Sequence, residues 1–242
     1  MKWVHKVMSR AKTILTISDR MARDYEKLFE KPTEILRIPA KNISSGKSGK
    51  ERQGIVYAGN LGVNRSTPLV ELGQALKREG IPGLECIDVY SGEQNPKTLE
   101  KLTEEYGIRF HGAVSAKEKT IILGNARYLL HVEAFDERAK LRTGYSLSTK
   151  IGECLGSGAC VAAYGPKDIS SMEYLIENQA AVFSEDADEL VSCLREAEEQ
   201  DNLYQEYVER AQKVVQEFHD KEKNDMIMKQ LLKEVSNPPH AD

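Results

Sequence analysis

Long apolar runs are missing from this 242-residue chain. Without a stretch of about eighteen apolar residues, no transmembrane helix is expected. The amino terminus, MKWVHKVMSRAKTILTISDRMARDY, is broken by charges and lacks the clean apolar centre of a signal peptide. A surplus of one charge is missing too. The net charge is −4, and without a basic face nucleic acid is not an expected partner. Cysteine is scarce: Cys86, Cys154, Cys160 and Cys193 form no CxxC pair, and three lie in apolar surroundings. That usage fits reduced, structural thiols in a cytoplasmic protein. The histidines His5, His111, His131, His219 and His240 fall at no ligand spacing such as HExxH, so neither a protein-held metal nor another cofactor is expected. What remains, 40% hydrophobic and 30% charged residues, is an ordinary globular balance. The length suits one large domain, or one domain plus part of another.

Taken in order, residues 13–16 (TILT) predict a short strand, and Ser18 is placed to cap a helix over residues 19–30. A second apolar run at 35–38 closes at Pro39. The following KNISSGKSGKERQ, residues 41–53, is polar throughout and predicts a flexible linker. Its Gly46-Lys47-Ser48 resembles the end of a phosphate loop, but Lys41 stands where that motif needs a glycine, and no strand leads into it. Beyond the linker, strands are expected at 55–58, 86–90, 108–110, 128–132, 160–163 and 181–183. Helices are expected at 68–78 (starting at Pro68), 96–106, 117–125, from Thr149, and at 170–177. Strands alternating with helices at this spacing predict an α/β fold with a doubly wound parallel sheet, followed by extra carboxyl-terminal helices. In the last fifty residues, Leu190, Val191, Leu194 and Ala197 share one helix face, and Tyr207, Val208, Ala211, Val214, Val215 and Phe218 another. Mixed charge on these helices favours packing on the domain over anything beyond peripheral membrane contact.

In doubly wound sheets ligands lie beyond the carboxyl ends of the strands. The loops expected there are 59–65, 91–95, 112–115, 133–148 and 165–168. In GNLGVNR (59–65), Gly59 lets backbone approach a ligand, and Arg65 can pair a phosphate bidentately. In GYSLSTKIGECLGSGACVAAYGP (144–166), Ser148 or Thr149 is placed to cap a helix, Lys150 sits in its first turn and Glu153 one turn in. A helix start beside a cation is an anion site, and a carboxylate one turn along can accept hydrogen bonds from vicinal hydroxyls. Glu133 ends a strand and points either into the cleft or into water. Arg138, Lys140 and Arg142 fall in an expected loop, and His111 is expected at a strand edge as a hydrogen-bonding residue.

Four segments together resemble the carboxyl-terminal half of a GT-B glycosyltransferase of the retaining family 4 kind. They are ILTISDRMARDYEKLFE (14–30), VYAGNLGVNR (56–65), GIRFHGAVSAKE (107–118) and STKIGECLGSGACVAAYGP (148–166). The resemblance implies a Rossmann-like donor-binding domain over 54–220. Residues 1–43 would be the remnant of an acceptor-side domain, 44–53 a linker, and 221–242 a final helix and tail. It implies a nucleotide-diphosphate-sugar donor, a glycan or lipid-linked acceptor, and transfer with retention. By the same resemblance Arg65 and Lys150 are the catalytic cations on the diphosphate, with Asn60 in place of a commonly basic partner. The backbone at Gly112 and Val114 would hold the base, Glu153 the ribose hydroxyls, and the Ser148 and Thr149 amides the diphosphate or sugar. One departure stands out: the family's paired glutamate, eight residues before Glu153, is Tyr145 here. Sugar recognition would then fall to Glu133 or the loop after it. A non-catalytic nucleotide- or partner-binding module and a sugar-nucleotide epimerase are the alternative readings. With so little chain before the linker, the final helices are expected to expose an apolar face and to support dimerisation.

Overall fold

The computed structural model describes residues 2–40 and 49–236. A short amino-terminal unit comes first: α1 (Lys2–Met8), β1 (Ile14–Thr16), α2 (Asp19–Phe29) and β2 (Thr33–Ile35). The Ser18 side chain caps α2 as expected, accepting the Met21 N–H. The main unit then runs β3 (Gln53–Ala58), α3 (Ser66–Glu79), β4 (Ile87–Tyr90), α4 (Pro96–Leu99), β5 (Ile108–Gly112), α5 (Ala116–Asn125) and β6 (Ala126–Val132). It continues through α6 (Glu137–Thr143), α7 (Lys150–Leu155), β7 (Cys160–Tyr164), α8 (Ser170–Glu177) and β8 (Val182–Ser184) to three helices, α9 (Ala187–Glu199), α10 (Asp201–Phe218) and α11 (Lys221–Ser236).

All six strands of the main sheet are parallel, in the order β5-β4-β3-β6-β7-β8. Strand order therefore reverses between β3 and β6, where a doubly wound sheet opens its binding crevice. Alternation along β3 sorts its side chains onto two faces. Ile55 and Tyr57 enter one core with Leu69, Leu72 and Leu76 of α3 and Leu190, Val191 and Leu194 of α9. Val56 enters the other with Ile151 of α7, Leu175 of α8, and Ala211 and Val214 of α10. Each large aliphatic side chain fully removed from water stabilises the fold by about 1.5–3 kcal/mol, so both faces of the sheet must stay covered.

Several elements differ from what the sequence predicts. Pro68 is the third residue of α3 rather than its first. The helix expected at 96–106 is one turn, α4, followed by a 3-10 turn at Glu104–Tyr106. The expected loop after Glu133 contains α6, capped by Asp136; its Arg138, Lys140 and Arg142 had hidden a helix with little apolar periodicity. Neither Ser148 nor Thr149 caps α7 with its side chain. Of the expected linker, residues 41–48, including Gly46-Lys47-Ser48, lie outside the described residues. Gly49–Glu51 form a 3-10 turn and Arg52 is buried. Among the described residues no helix is long and apolar enough to cross a membrane.

The amino-terminal unit is clasped to the main one by named contacts. Arg37 is buried, pairs with Asp19, and lies 4.9 Å from the ring centre of Tyr174 and 5.0 Å from that of Phe218. His219 Nδ1 donates to the Ile38 carbonyl at 2.8 Å, which leaves its Nε2 to accept from the Tyr174 hydroxyl at 3.1 Å. The Tyr145 hydroxyl donates to Asp24 at 2.6 Å. Trp3, Leu28 and Ile38 of this unit remain exposed, as do Met226 and Leu232 of α11.

Glycine is obligatory where α3 passes the turn before β5. Gly107 has φ +70°, and a Cβ there would overlap the Gly73 carbonyl oxygen and lie 2.6 Å from its carbon. Gly80, at φ +59°, has open space around it. Gly107→Ala is expected to destabilise the fold by about 3 kcal/mol and Gly80→Ala by about 1 kcal/mol, measured by urea denaturation.

Candidate functional site

Backbone hydrogen bonds extend the sheet past its strand ends and so fix the first residue of each loop. The Gly59 N–H donates to Tyr90 O, Ser91 N–H to Gly112 O, and Glu133 N–H to Tyr164 O, at 2.9, 2.9 and 3.0 Å. Together with the β3–β6 pairing, this brings Gly59 and Glu133 to the reversal of strand order. The loop after β3 is tightly wound: Val63 and Asn64 both adopt left-handed conformations, at φ 60° and 58°. A β-branched residue there carries backbone strain of about 1–3 kcal/mol. Asn60, expected against the donor's diphosphate, is spent on this turn; its side-chain oxygen accepts the Gly62 N–H.

Arg65 takes the N-cap position of α3 without capping it. Its guanidinium turns back to Glu133 instead, with Nε to Oε2 at 3.0 Å and Nη2 to Oε1 at 2.9 Å. A third bond runs from Nη1 to Gly62 O at 3.1 Å. Glu133 is almost fully buried and Arg65 largely so. The edge of Arg65 expected to clasp phosphate is thus already committed. Of its five N–H donors, those left lie on the terminal nitrogens. Glu133 points into the cleft, as the anchor of this pair.

Lys150, the first residue of α7, reaches across Gly59 to Tyr57. Its Nζ lies 3.2 Å from the Tyr57 hydroxyl and 4.4 Å from the ring centre. Gly59 is required for this path, since a Cβ there would overlap Lys150 Nζ and come within 2.7 Å of its Cδ. Burial brings the Lys150 ammonium down to about 8; the Arg65 and Lys119 charges push the same way, against Cys154 and Glu133. Beneath them His131 is buried, and its Nε2, 3.9 Å from Glu133 Oε1, has no hydrogen-bond partner. Burial, with Lys150 and Arg65 nearby, drives His131 down to about 3, so it is neutral at ordinary pH.

Beside this cluster the ends of β3, β4 and β5 enclose a cleft of about 170 Å³, lined by Gly59, Tyr90, Gly92, Val114 and Lys119 among others. Gly112, at φ +76°, turns the chain beside it. Glu153 pairs with Lys119 at the cleft wall. Both side chains are about a third exposed, so the pair is worth about 0–1 kcal/mol and is easily exchanged for a ligand. Ser148 and Thr149 line a different cavity, with Ile38 and His219. Tyr145, at the position of the expected glutamate, lies against α2 through Asp24 and is 6.3 Å from Tyr25, ring centre to ring centre.

Of the residues singled out in the sequence, Arg65, Lys150, Gly59 and Glu133 therefore form one cluster, and Val114 and Glu153 adjoin it through Lys119. Sequence reasoning missed Tyr57, His131 and Lys119. Tyr57 looked like one more apolar strand residue, and Lys119 one more helix charge. The His131-x-Glu133 spacing was the one available signal, since in a strand it puts both side chains on one face. Among the described residues no group of three or more His, Cys, Asp or Glu side chains is placed to hold a metal ion.

A profile of the family described as glycosyl transferase-like matches residues 74–233, well over half of the chain. No curated protein matches the sequence. Solved structures similar to it include sucrose-phosphate synthase from Thermosynechococcus elongatus, 14% identical with a TM-score of 0.68 over 96% of this chain and 60% of that one. HepE from Anabaena, solved in complex with UDP and glucose, is 12% identical with a TM-score of 0.66 over 96% of this chain and 66% of its own. WaaG, a glycosyltransferase involved in lipopolysaccharide biosynthesis, is 17% identical with a TM-score of 0.58 over 88% and 62%. At such identities the likeness shows the fold alone, and the chain spans less than two thirds of the length of each of these three structures. By the extent of the profile match the chain belongs to the glycosyl transferase-like family, and its parallel sheet has the Rossmann-like form of a GT-B glycosyltransferase domain.

Proposed function

We propose that this chain is the donor-binding portion of a glycosyltransferase that moves a hexosyl group from a nucleotide-diphosphate sugar to a glycan or lipid-linked acceptor, with retention. The observation that carries this reading is that Lys150, lying over Gly59, and Arg65 are close enough for each charge to act on the other, at the reversal of strand order, in a chain of this family. The division proposed is a donor domain over 54–220, a final helix and tail over 221–242, and an acceptor-side portion within 1–43.

Departure of the nucleotide develops negative charge on the diphosphate and an oxocarbenium-like sugar. Lys150 and the free N–H groups of Arg65 stabilise the first change from fixed positions, with no reorganisation needed at the moment of bond cleavage. The small cleft at Gly59, Gly92 and Val114 takes the base, and Glu153 exchanges Lys119 for the ribose hydroxyls. Glu133 keeps Arg65 aimed. Attack from the face that the nucleotide leaves requires no protein nucleophile.

Calorimetry with UDP, GDP and ADP tests the reading. One of them is expected to bind, and Lys150→Ala to weaken it about tenfold or more, the worth of a charge-assisted hydrogen bond. Because Arg65→Ala strands a buried carboxylate, Arg65→Ala/Glu133→Gln is the informative partner variant, with the same loss expected. Unchanged affinity in both variants, or no nucleotide binding at all, would sink the proposal.

Titration adds a second check. Free Lys150 loses its proton near pH 8, whereas a bound diphosphate holds it on. Affinity should therefore be highest below about pH 8 and fall as pH rises through that value, with proton uptake on binding. In Lys150→Met the fall near pH 8 should vanish. Gly59→Ala should lower affinity as much as Lys150→Ala does while leaving the urea midpoint nearly unchanged, because only a flexible side chain is displaced.

A further inference from the structure

A groove of about 360 Å³ opens beside the turn that leads into Arg65. Val63 and Asn64 line one wall; Asp136, Arg138, Ala139 and Arg142, from α6 and its cap, line the other. Both walls continue into the Arg65–Glu133 pair, since Asn64 precedes Arg65 and Asp136 lies three residues after Glu133. Asn64 Nδ2 donates to Asp136 Oδ2 at 3.1 Å and ties the walls together, while its Oδ1 accepts from the Thr67 hydroxyl at 2.8 Å. Those bonds hold the two left-handed residues of the turn, Val63 and Asn64. Backbone strain held in place beside a cleft is characteristic of ligand-binding segments.

Arg138 and Arg142 lie four residues apart, so α6 presents both on one face, over the groove. Both side chains are exposed. Among the described residues neither donates a hydrogen bond or closes an ion pair. The other charges nearby are already spent. Lys140, on the same helix, pairs with Asp168 at 3.0 Å and with Glu137 at 3.4 Å. Asp136 accepts from Asn64 and from the Ala139 N–H at 3.0 Å; these bonds, with the Arg138 charge, hold its carboxyl below the usual range. Two guanidiniums against one carboxylate leave the groove net positive. A guanidinium fork matches a carboxylate in two parallel bonds. The groove's volume is that of a small-molecule site and suits a single sugar ring.

We infer that this groove holds the transferred sugar and that the sugar is acidic, a hexuronic acid whose carboxylate pairs with Arg138 and Arg142. The inference rests on the donor reading above: Arg65 and Lys150 hold the diphosphate, and the sugar follows into the adjoining groove. A neutral hexose there would leave both guanidiniums facing only water.

Calorimetry on the chain with matched donors tests this: glucuronic acid against glucose on UDP and on ADP, and mannuronic acid against mannose on GDP. On the nucleotide that binds, the uronate is expected to bind about tenfold tighter than its hexose partner, as a charge-assisted contact would give. Arg138→Gln/Arg142→Gln should abolish that preference. The same variant should leave the affinity for the hexose donor, the affinity for the bare nucleotide and the melting temperature unchanged, because both side chains are exposed. Lys140→Gln removes a charge from the same helix outside the groove lining and should keep the preference. Equal affinity within the pair, a preference that survives the double variant, or an equal loss in Lys140→Gln overturns the inference; the donor reading then stands on bare-nucleotide binding. Binding of no nucleotide at all removes both.

Discussion

A buried ion pair between Arg65 and Glu133 ties the loop after β3 to the loop after β6. Those strands flank the reversal of sheet order, so the pair spans the opening in which a ligand would sit. Its energetic role follows from burial. Two charges taken out of water gain little net stability, but removing one leaves the other unpaired at a cost of about 3–5 kcal/mol. The pair therefore contributes geometry more than stability. It fixes the direction of Arg65, holds the strained turn at Val63 and Asn64 against the sheet, and leaves Lys150 as the cation of the cleft that no carboxylate pairs. The contrast with Lys119 and Glu153 is one of exposure: those side chains are about a third open to water, and the pair exchanges readily.

Much of the architecture could be seen in the sequence, because a parallel sheet buried on both faces writes itself as short apolar runs between amphipathic helices. All six strands of the main sheet lie where those runs predicted them, within two residues at each end. Helix α6 was obscured because its exposed side chains are charged and only Ala139 and Thr143 are buried. Helix α4 was overextended because Pro96 marks a helix start but nothing nearby marks its end.

The candidate site was visible in its residue types but not in its pairings. Cations on glycine-rich loops announce an anion site, and Arg65, Gly59 and Lys150 do come together. That Arg65 would already be held by Glu133 depends on two strands that are adjacent in the sheet and some seventy residues apart in sequence; no local spacing encodes it. The diversion of Ser148 and Thr149 to another cavity has the same origin, since Ile38, from the amino-terminal unit, lines that cavity with them.

Tyr145 has a mechanical consequence. Its hydroxyl is held by Asp24 and its carbonyl by the Ser18 hydroxyl, both from the amino-terminal unit. It stands five residues before Lys150 in a segment with little regular structure between. Any rotation of α2 relative to the sheet must pull on that segment, and hence on the start of α7. At Tyr145 this chain has a tether, so the position of the buried Lys150 amine is set by how firmly a neighbouring structural unit is seated.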